Sequence, residues 1–212
     1  MQSACAVQSF CALSGQRCIA GTRIFVQNPI RDEIVQRIAA AAQSYTVGDP
    51  WDEHTKMGPL ISKEHFERVT SYFSIARHDG ARLITGGSAA KKTGYFLDPT
   101  VYADVDNRMR VAREEIFGPV ACVIGFEDEE EAVRNANDTE FGLAAAVWTK
   151  DFGRAHRLAS QIKAGSVGIN CYPGSDPIAP FGGYKQSGLG RELGIQSIDA
   201  YTETKSVFAN IA

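Results

Sequence analysis

The sequence predicts an α/β domain: a largely parallel sheet flanked by helices. Three observations carry this. Apolar helical stripes and short β-branched strands alternate along the chain. The run "PVACVIGF" (119–126) is apolar almost throughout, as expected of a strand covered on both faces. The 212 residues, 44% hydrophobic and 22% charged, suffice to bury a sizeable core.

The elements follow in order. Small apolar residues over 2–13 read as a helix leading to a break at Gly15. "TRIFVQ" (22–27) is β-branched and aromatic, hence a strand. After Pro29, Ile34, Val35, Ile38, Ala39 and Ala42 fall on one helical face. The stretch 48–62 is turn-rich and reads as a loop. Ser62 can cap a helix carrying Phe66, Val69, Phe73 and Ala76, closed by Gly80. Strands are expected at 81–87, 95–105, 119–126, 144–149 and 166–170. A helix capped by Asp151 and closed by Gly165 sits between the last two. The acidic run "EDEEEA" (127–132) reads either as a cation or partner patch, or as a helix first turn whose carboxylates complement the dipole. The last stretch, 201–212, alternates loosely and reads as a terminal strand able to pair with another sheet.

Composition excludes several classes. A net charge of −3 leaves no basic footprint, so no nucleic acid partner is expected. No apolar run approaches the roughly 20 residues of a membrane span, and the N-terminal residues lack the basic region of a signal peptide. The cysteines (5, 11, 18, 122 and 171) are odd in number and contain no CxxC pair, which favours a reducing, cytoplasmic setting over a disulfide framework. The histidines (54, 65, 78 and 156) show no metal-ligand spacing, so no zinc site is expected.

Three stretches could carry chemistry. In "SGQRC", Cys18 follows a Gly-Gln-Arg turn with Arg17 and Arg23 close in sequence. An unperturbed thiol titrates near pH 8.5, so a working nucleophile needs a base or positive surroundings. The turn lets the Cys18 N–H point at a bound carbonyl oxygen. A buried structural cysteine is the other reading. In "EEIFGPV" (114–120) the glutamates are either a solvated pair, or Glu115 accepts from ribose hydroxyls while Phe117 walls a ring. In 170–194 the pattern Gly188, Gly190, Gly194 is one residue too long for a dinucleotide loop, and no strand feeds it. A glycine-rich loop shaping a pocket is expected instead, with Tyr172, Phe181 and Tyr184 lining it or packing.

Together these stretches resemble the aldehyde dehydrogenase superfamily, from about residue 2 to the end. "SGQRC" looks like the nucleophile segment and "REEIFGPV" like the cofactor-ribose segment. "TEFGLAAAVWTKD", "AGSVGIN" and "PFGGYKQSGLGRELG" follow in the family's order. The resemblance implies roles residue by residue. Cys18 adds to the aldehyde carbonyl to give a thiohemiacetal, its own N–H helping to stabilise the oxyanion. Hydride passes to NAD or NADP, and water cleaves the resulting thioester. Glu115 holds the nicotinamide ribose and Phe117 packs near the nicotinamide. Arg17, Ile19, Asn170, Tyr172 and Phe181 belong to the substrate pocket, Asn170 lying behind it. Glu192 assists proton traffic.

The resemblance also implies domains: a catalytic domain over 1–186, a glycine-rich and helical segment over 187–200 that packs on a cofactor-binding domain, and an oligomerisation strand over 201–212 crossing to a sister subunit. A homo-oligomer, dimer or tetramer, is expected. The cofactor domain, with the oxyanion-hole amide and the glutamate base it brings, is expected to be absent from this chain, which should therefore show little or no dehydrogenase activity alone. Retention of "PFGGYKQSG" favours the acid-forming, hydrolytic class over the type that transfers the acyl group to coenzyme A. The alternative function is a non-catalytic interaction protein, self-associating through an exposed apolar face and the terminal strand. A third reading is residual esterase or redox-sensing chemistry at Cys18.

Overall fold

The computed structural model describes residues 2–91, 93–174 and 176–212. Its principal sheet has the order β1-β4-β3-β2, formed by Arg23–Gln27 (β1), Val120–Phe126 (β4), Thr100–Ala103 (β3) and Arg82–Thr85 (β2). β4 lies parallel to β1, with Arg23 opposite Cys122 and Gln27 opposite Phe126, and parallel to β3. β2 runs antiparallel at the edge and shifts register between Leu83 and Thr85. The sheet is therefore mixed, with a parallel centre.

The continuous apolar run in β4 has the expected cause. Side chains alternate across a strand, so Val120, Cys122 and Ile124 face one layer while Ala121 and Val123 face the other. The first layer is the helix Lys63–His78 (α3), which contributes Val69, Tyr72, Phe73 and Ala76. The second is the helix pair Gln2–Cys11 (α1) and Arg31–Gln43 (α2), which contributes Val7, Phe10, Val35, Ile38 and Ala42. The caps form where the sequence places them: Ser62 Oγ accepts from the His65 amide at 3.2 Å and Asp151 Oδ1 from the Arg154 amide at 3.0 Å. A short helix, Arg110–Arg113 (α4), leads towards β4.

Past β4, the acidic run becomes the first turn of Glu129–Asn137 (α5), with Asp128 as its N-cap. Glu129 meets Arg154 and Arg157 of Phe152–Gln161 (α6), so this run takes the helix-turn reading. Phe141–Gly142 (β5) pairs antiparallel with Tyr184–Lys185 (β8). Ala144–Val147 (β6) and Ser166–Ile169 (β7) form a parallel pair joined through α6.

Two expectations are corrected. The strand expected over 95–105 shrinks to Thr100–Ala103, because Pro99 has no amide to donate to a ladder. The helix capped by Asp151 ends at Gln161, four residues before Gly165. The helix expected after the glycine-rich stretch is a 3-10 helix, Ile195–Tyr201, which runs one residue past 187–200. Within this single chain 201–212 has no ladder partner among the described residues, and Val207, Phe208 and Ile211 are exposed along it. Among the described residues no helix is long and apolar enough to cross a membrane.

Candidate functional site

The site is built around a strained turn. Beyond α1, Leu13, Ser14 and Gly15 occupy the left-handed region in succession, at φ 52°, 59° and 72°. That conformation is unfavourable for the two non-glycine residues, so it needs outside restraint. Ser14 Oγ donates to the Gly58 carbonyl at 2.9 Å. Gln16 Oε1 accepts from the Ile61 amide at 2.9 Å, and its Nε2 donates to the Leu13 carbonyl at 3.2 Å. At Gly15 a Cβ would collide with the Gly118 carbonyl, so only glycine permits this approach.

The chain then forms a turn closed by the Ala20 amide on the Arg17 carbonyl at 3.1 Å. Cys18, second in that turn, is exposed. Among the described residues its amide has no acceptor, which leaves that N–H free to donate to a bound oxygen. Arg17 and Ile19 beside it are half-buried. The turn exits through Gly21 into β1, where Arg23 is held by Asn107 Oδ1 (2.8 Å) and the carbonyls of Asn135 and Ala136 (3.0 Å each). Arg23 is thus committed to the C-terminal end of α5, where a cation complements the dipole.

Gly118 belongs to the second stretch, so the Gly15 contact brings 114–118 against the cysteine turn. α3 grips this stretch with three side chains on one helical face. His65 Nε2 donates to the Phe117 carbonyl at 2.7 Å. Arg68 donates to the carbonyls of Glu115 (2.5 Å) and Ile116 (2.9 Å). Tyr72 Oη donates to Glu114 Oε2 at 2.8 Å. Phe117 sits at φ 60°, its ring edge-on to His65 at 6.3 Å. Arg110, and after it Tyr72, holds the Glu114 carboxyl below the usual carboxylate range. Glu115 differs: only its backbone carbonyl is engaged, and among the described residues its exposed carboxylate has no partner.

The third stretch joins through Tyr172. Its ring lies against Gly21 and edge-on to Trp148 at 5.9 Å. Phe181 and Glu192 are brought together by a two-way backbone bridge of 2.6 and 2.7 Å, with the Glu192 side chain exposed. Asn170, at φ 56°, spends its amide on the Thr149 backbone (3.0 and 2.9 Å), closing the β6–β7 pair. It also lines a cavity of about 430 Å³ with Trp148, Phe152 and Ile169. Tyr184 stands exposed under the Arg191 guanidinium.

Sequence reasoning missed His65, Arg68 and Tyr72. Their signal was available: they step by three and four along α3, beside the apolar stripe that was recognised. The role of Gln16 was missed as well, because its partner Ile61 lies 45 residues away in sequence.

The model of the aldehyde dehydrogenase family matches residues 2–207. The putative aldehyde dehydrogenase DhaS of Bacillus subtilis is 47% identical over 197 residues, covering 93% of this chain and 40% of that protein. A mitochondrial aldehyde dehydrogenase of Rattus norvegicus is also 47% identical over 197 residues, covering 93% of this chain and 38% of that protein. Among solved structures, the NAD+ complex of an aldehyde dehydrogenase from Bacillus cereus superimposes with a TM-score of 0.96 at 43% identity, covering 99% of this chain and 43% of that one. The chain thus spans about two fifths of the length of these relatives. The match of the family model over nearly the whole chain, together with this likeness of fold, makes the chain a member of the aldehyde dehydrogenase family.

Proposed function

We propose that this chain carries the thiol half of an NAD(P)-dependent, acid-forming aldehyde oxidation, with Cys18 as the nucleophile. The observation that supports it best is the contact of Gly15 with Gly118. This contact sets an exposed thiol and an unengaged carboxylate, Glu115, on adjoining loops.

In this reading Cys18 Sγ adds to the aldehyde carbon, and the Cys18 amide, which has no acceptor among the described residues, donates to the developing oxyanion. Glu115 suits a dinucleotide: an exposed, acceptor-only carboxylate can take hydrogen bonds from both hydroxyls of a ribose. When bound, the dinucleotide supplies the hydride acceptor that turns the thiohemiacetal into a thioester. Phe117 and Phe181 provide apolar walls, and Tyr172 narrows the cleft from the Gly21 side. Arg17 and Ile19 border the thiol, Asn170 steadies the segment behind it, and Glu192 moves protons near Phe181. Residues 1–186 form the catalytic domain, 187–200 face a cofactor-binding domain, and 201–212 add a strand to a sister subunit in a homo-oligomer. The fully exposed Leu189 and the exposed Val207, Phe208 and Ile211 favour those last two assignments.

Acyl transfer tests the thiol without any cofactor. Incubation with p-nitrophenyl acetate is expected to release p-nitrophenolate and leave an acetyl group on Cys18, visible by peptide mass spectrometry and lost in Cys18→Ser. Acetylation of Cys171 at the same rate as Cys18 would overturn the assignment. The resemblance assigns the oxyanion-hole amide and the glutamate base to a cofactor-binding domain; these 212 residues assayed alone are therefore expected to form NADH from aldehyde more weakly, by on the order of 10²–10⁴, than a chain with a positioned base. Vigorous turnover would refute that part.

A further inference from the structure

The C-terminal end of α5 gathers one cation from each of the three chemical stretches. Arg23, which follows the Cys18 turn, donates to the carbonyls of Asn135 and Ala136 at 3.0 Å each. Lys185, just past Phe181, reaches the carbonyls of Asn137 (2.8 Å) and Thr139 (3.1 Å). Arg113, just before Glu115, meets Asp138 Oδ2 at 3.2 Å. A helix ends in unpaired carbonyls and a partial negative charge, so the short run 135–139 takes all three at once. Asn107 locks this meeting point. Its side chain is buried. Its Oδ1 accepts from Arg23 Nη1 at 2.8 Å, while Nδ2 donates to the carbonyls of Asn135 (3.2 Å) and Asp138 (3.1 Å) and stands 3.2 Å from Asp138 Oδ2. A carboxamide carries both an acceptor for the guanidinium and donors for the helix end. The Asn137 side chain ties the same point to the end of α6, accepting from the Lys163 amide at 2.7 Å and donating to the Gln161 carbonyl at 2.9 Å.

We propose that Asn107 is a positioning residue: through Arg23 and residues 135–139 it holds the Cys18 turn in register with the 114–118 and glycine-rich stretches. The inference deepens the reading of Cys18 as nucleophile and rests on it. Stabilising an oxyanion depends on where the Cys18 amide stands relative to the attacked carbonyl, and small misplacements are costly. Alkylation by iodoacetamide displaces iodide without forming an oxyanion, so it is indifferent to that placement. The two reactions at one sulfur therefore separate placement from mere reactivity of the thiol.

The test measures two quantities on the 212-residue chain for the parent, Asn107→Leu and Lys185→Met. The first is the rate of acetylation by p-nitrophenyl acetate divided by the rate of alkylation by iodoacetamide, both read at Cys18 by peptide mass spectrometry. Ionisation of the thiol cancels in this quotient. Asn107→Leu is expected to lower it about tenfold. The second is amide exchange over 19–27, 113–118 and 184–187. If 135–139 is a shared reference, Asn107→Leu accelerates exchange by about fivefold or more, the scale of one hydrogen bond, in all three segments. Two of these Asn107 does not touch. Exchange over β2 should keep the parent rate. A quotient within twofold of the parent, or acceleration confined to 19–27, would overturn the inference. Labelling of buried Cys11 or Cys122 in the same digests reports unfolding. If Asn107→Leu unfolds, Lys185→Met at the exposed end of the cluster decides: it must accelerate 113–118 as well as 184–187, and acceleration of 184–187 alone overturns the shared reference. The two levels separate cleanly. A parent in which the ester acetylates Cys18 no faster than Cys171 sinks the nucleophile assignment, whereas exchange confined to one segment sinks only the role of Asn107.

Discussion

Gly15→Ala puts the central contact of the site under direct strain. The native φ of 72° disfavours any L-residue, and the added Cβ would collide with the Gly118 carbonyl carbon and oxygen and approach the Pro119 nitrogen to 2.7 Å. All three are backbone atoms, so no rotamer change relieves the clash. The left-handed conformation costs about 1–2 kcal/mol for a residue with a Cβ. Overpacking against rigid neighbours adds about 1–3 kcal/mol. The expected loss is therefore roughly 2–5 kcal/mol, or a fall in Tm on the order of 10 °C for a chain of this size. Urea unfolding at 25 °C, followed by tryptophan fluorescence, measures it directly. The variant should also alkylate more slowly at Cys18, because the turn and the 114–118 loop can no longer meet. A stability within about 0.5 kcal/mol of the parent would show that the backbone parts without penalty, and the reasoning from close approach would fail.

Other expectations follow from the same geometry. Arg68→Met removes both donors to the Glu115 and Ile116 carbonyls; since the site is exposed, it should destabilise by only about 1 kcal/mol, while amide exchange over 115–118 accelerates; unchanged exchange there refutes the grip. Arg108, through its side-chain and backbone hydrogen bonds, holds Asp106 down to about 2. A depressed folded-state value contributes stability above the unfolded value near 4 that is lost as pH falls from about 4 to about 2. With Asp106 nearly half exposed, the effect is a few tenths of a kcal/mol. The stability gap between parent and Asp106→Asn should be flat above pH 5 and close below pH 4; a gap that widens on acidification contradicts the sign. Burial pushes the Cys122 thiol up to about 12 and raises Cys11 further. In native protein at pH 8 both should resist iodoacetamide while Cys18 and Cys171 react, and equal labelling of Cys11 and Cys18 counts against this core. Asp151→Ala should cost about 1 kcal/mol through loss of the α6 N-cap, read as a lower urea midpoint.

Much of the frame was legible because it is local. The Ser62 and Asp151 caps, the α3 stripe and the unbroken apolar run of β4 each announce themselves within a dozen residues. The three chemical stretches were likewise visible as motifs. What the sequence could not display is how they meet. The left-handed step at Leu13 and Ser14 breaks ordinary residue preference and survives only because Gly58, Ile61 and Gly118 hold it from elsewhere in the chain. The grip of α3 on 114–118 uses backbone carbonyls as acceptors, which leave no trace in residue identity. Asn170 was read as lying behind the pocket, and its amide proves to be occupied by the Thr149 backbone. The terminal segment has the composition of a strand, but pairing belongs to two strands and not to one, so its partner cannot be read from its own residues.

The pairing of β1 with β4 also dictates when the thiol acquires its setting. Arg23 meets Cys122 about a hundred residues further along, so the strand that anchors the cysteine turn has no parallel neighbour while the intervening chain is still being made. At ordinary rates of synthesis that interval is roughly 5–20 s. A nascent polypeptide emerging from the ribosome carries Cys18 as an unremarkable sulfhydryl throughout that delay, and its distinctive surroundings arise only once Gly118 and the strand behind it have emerged.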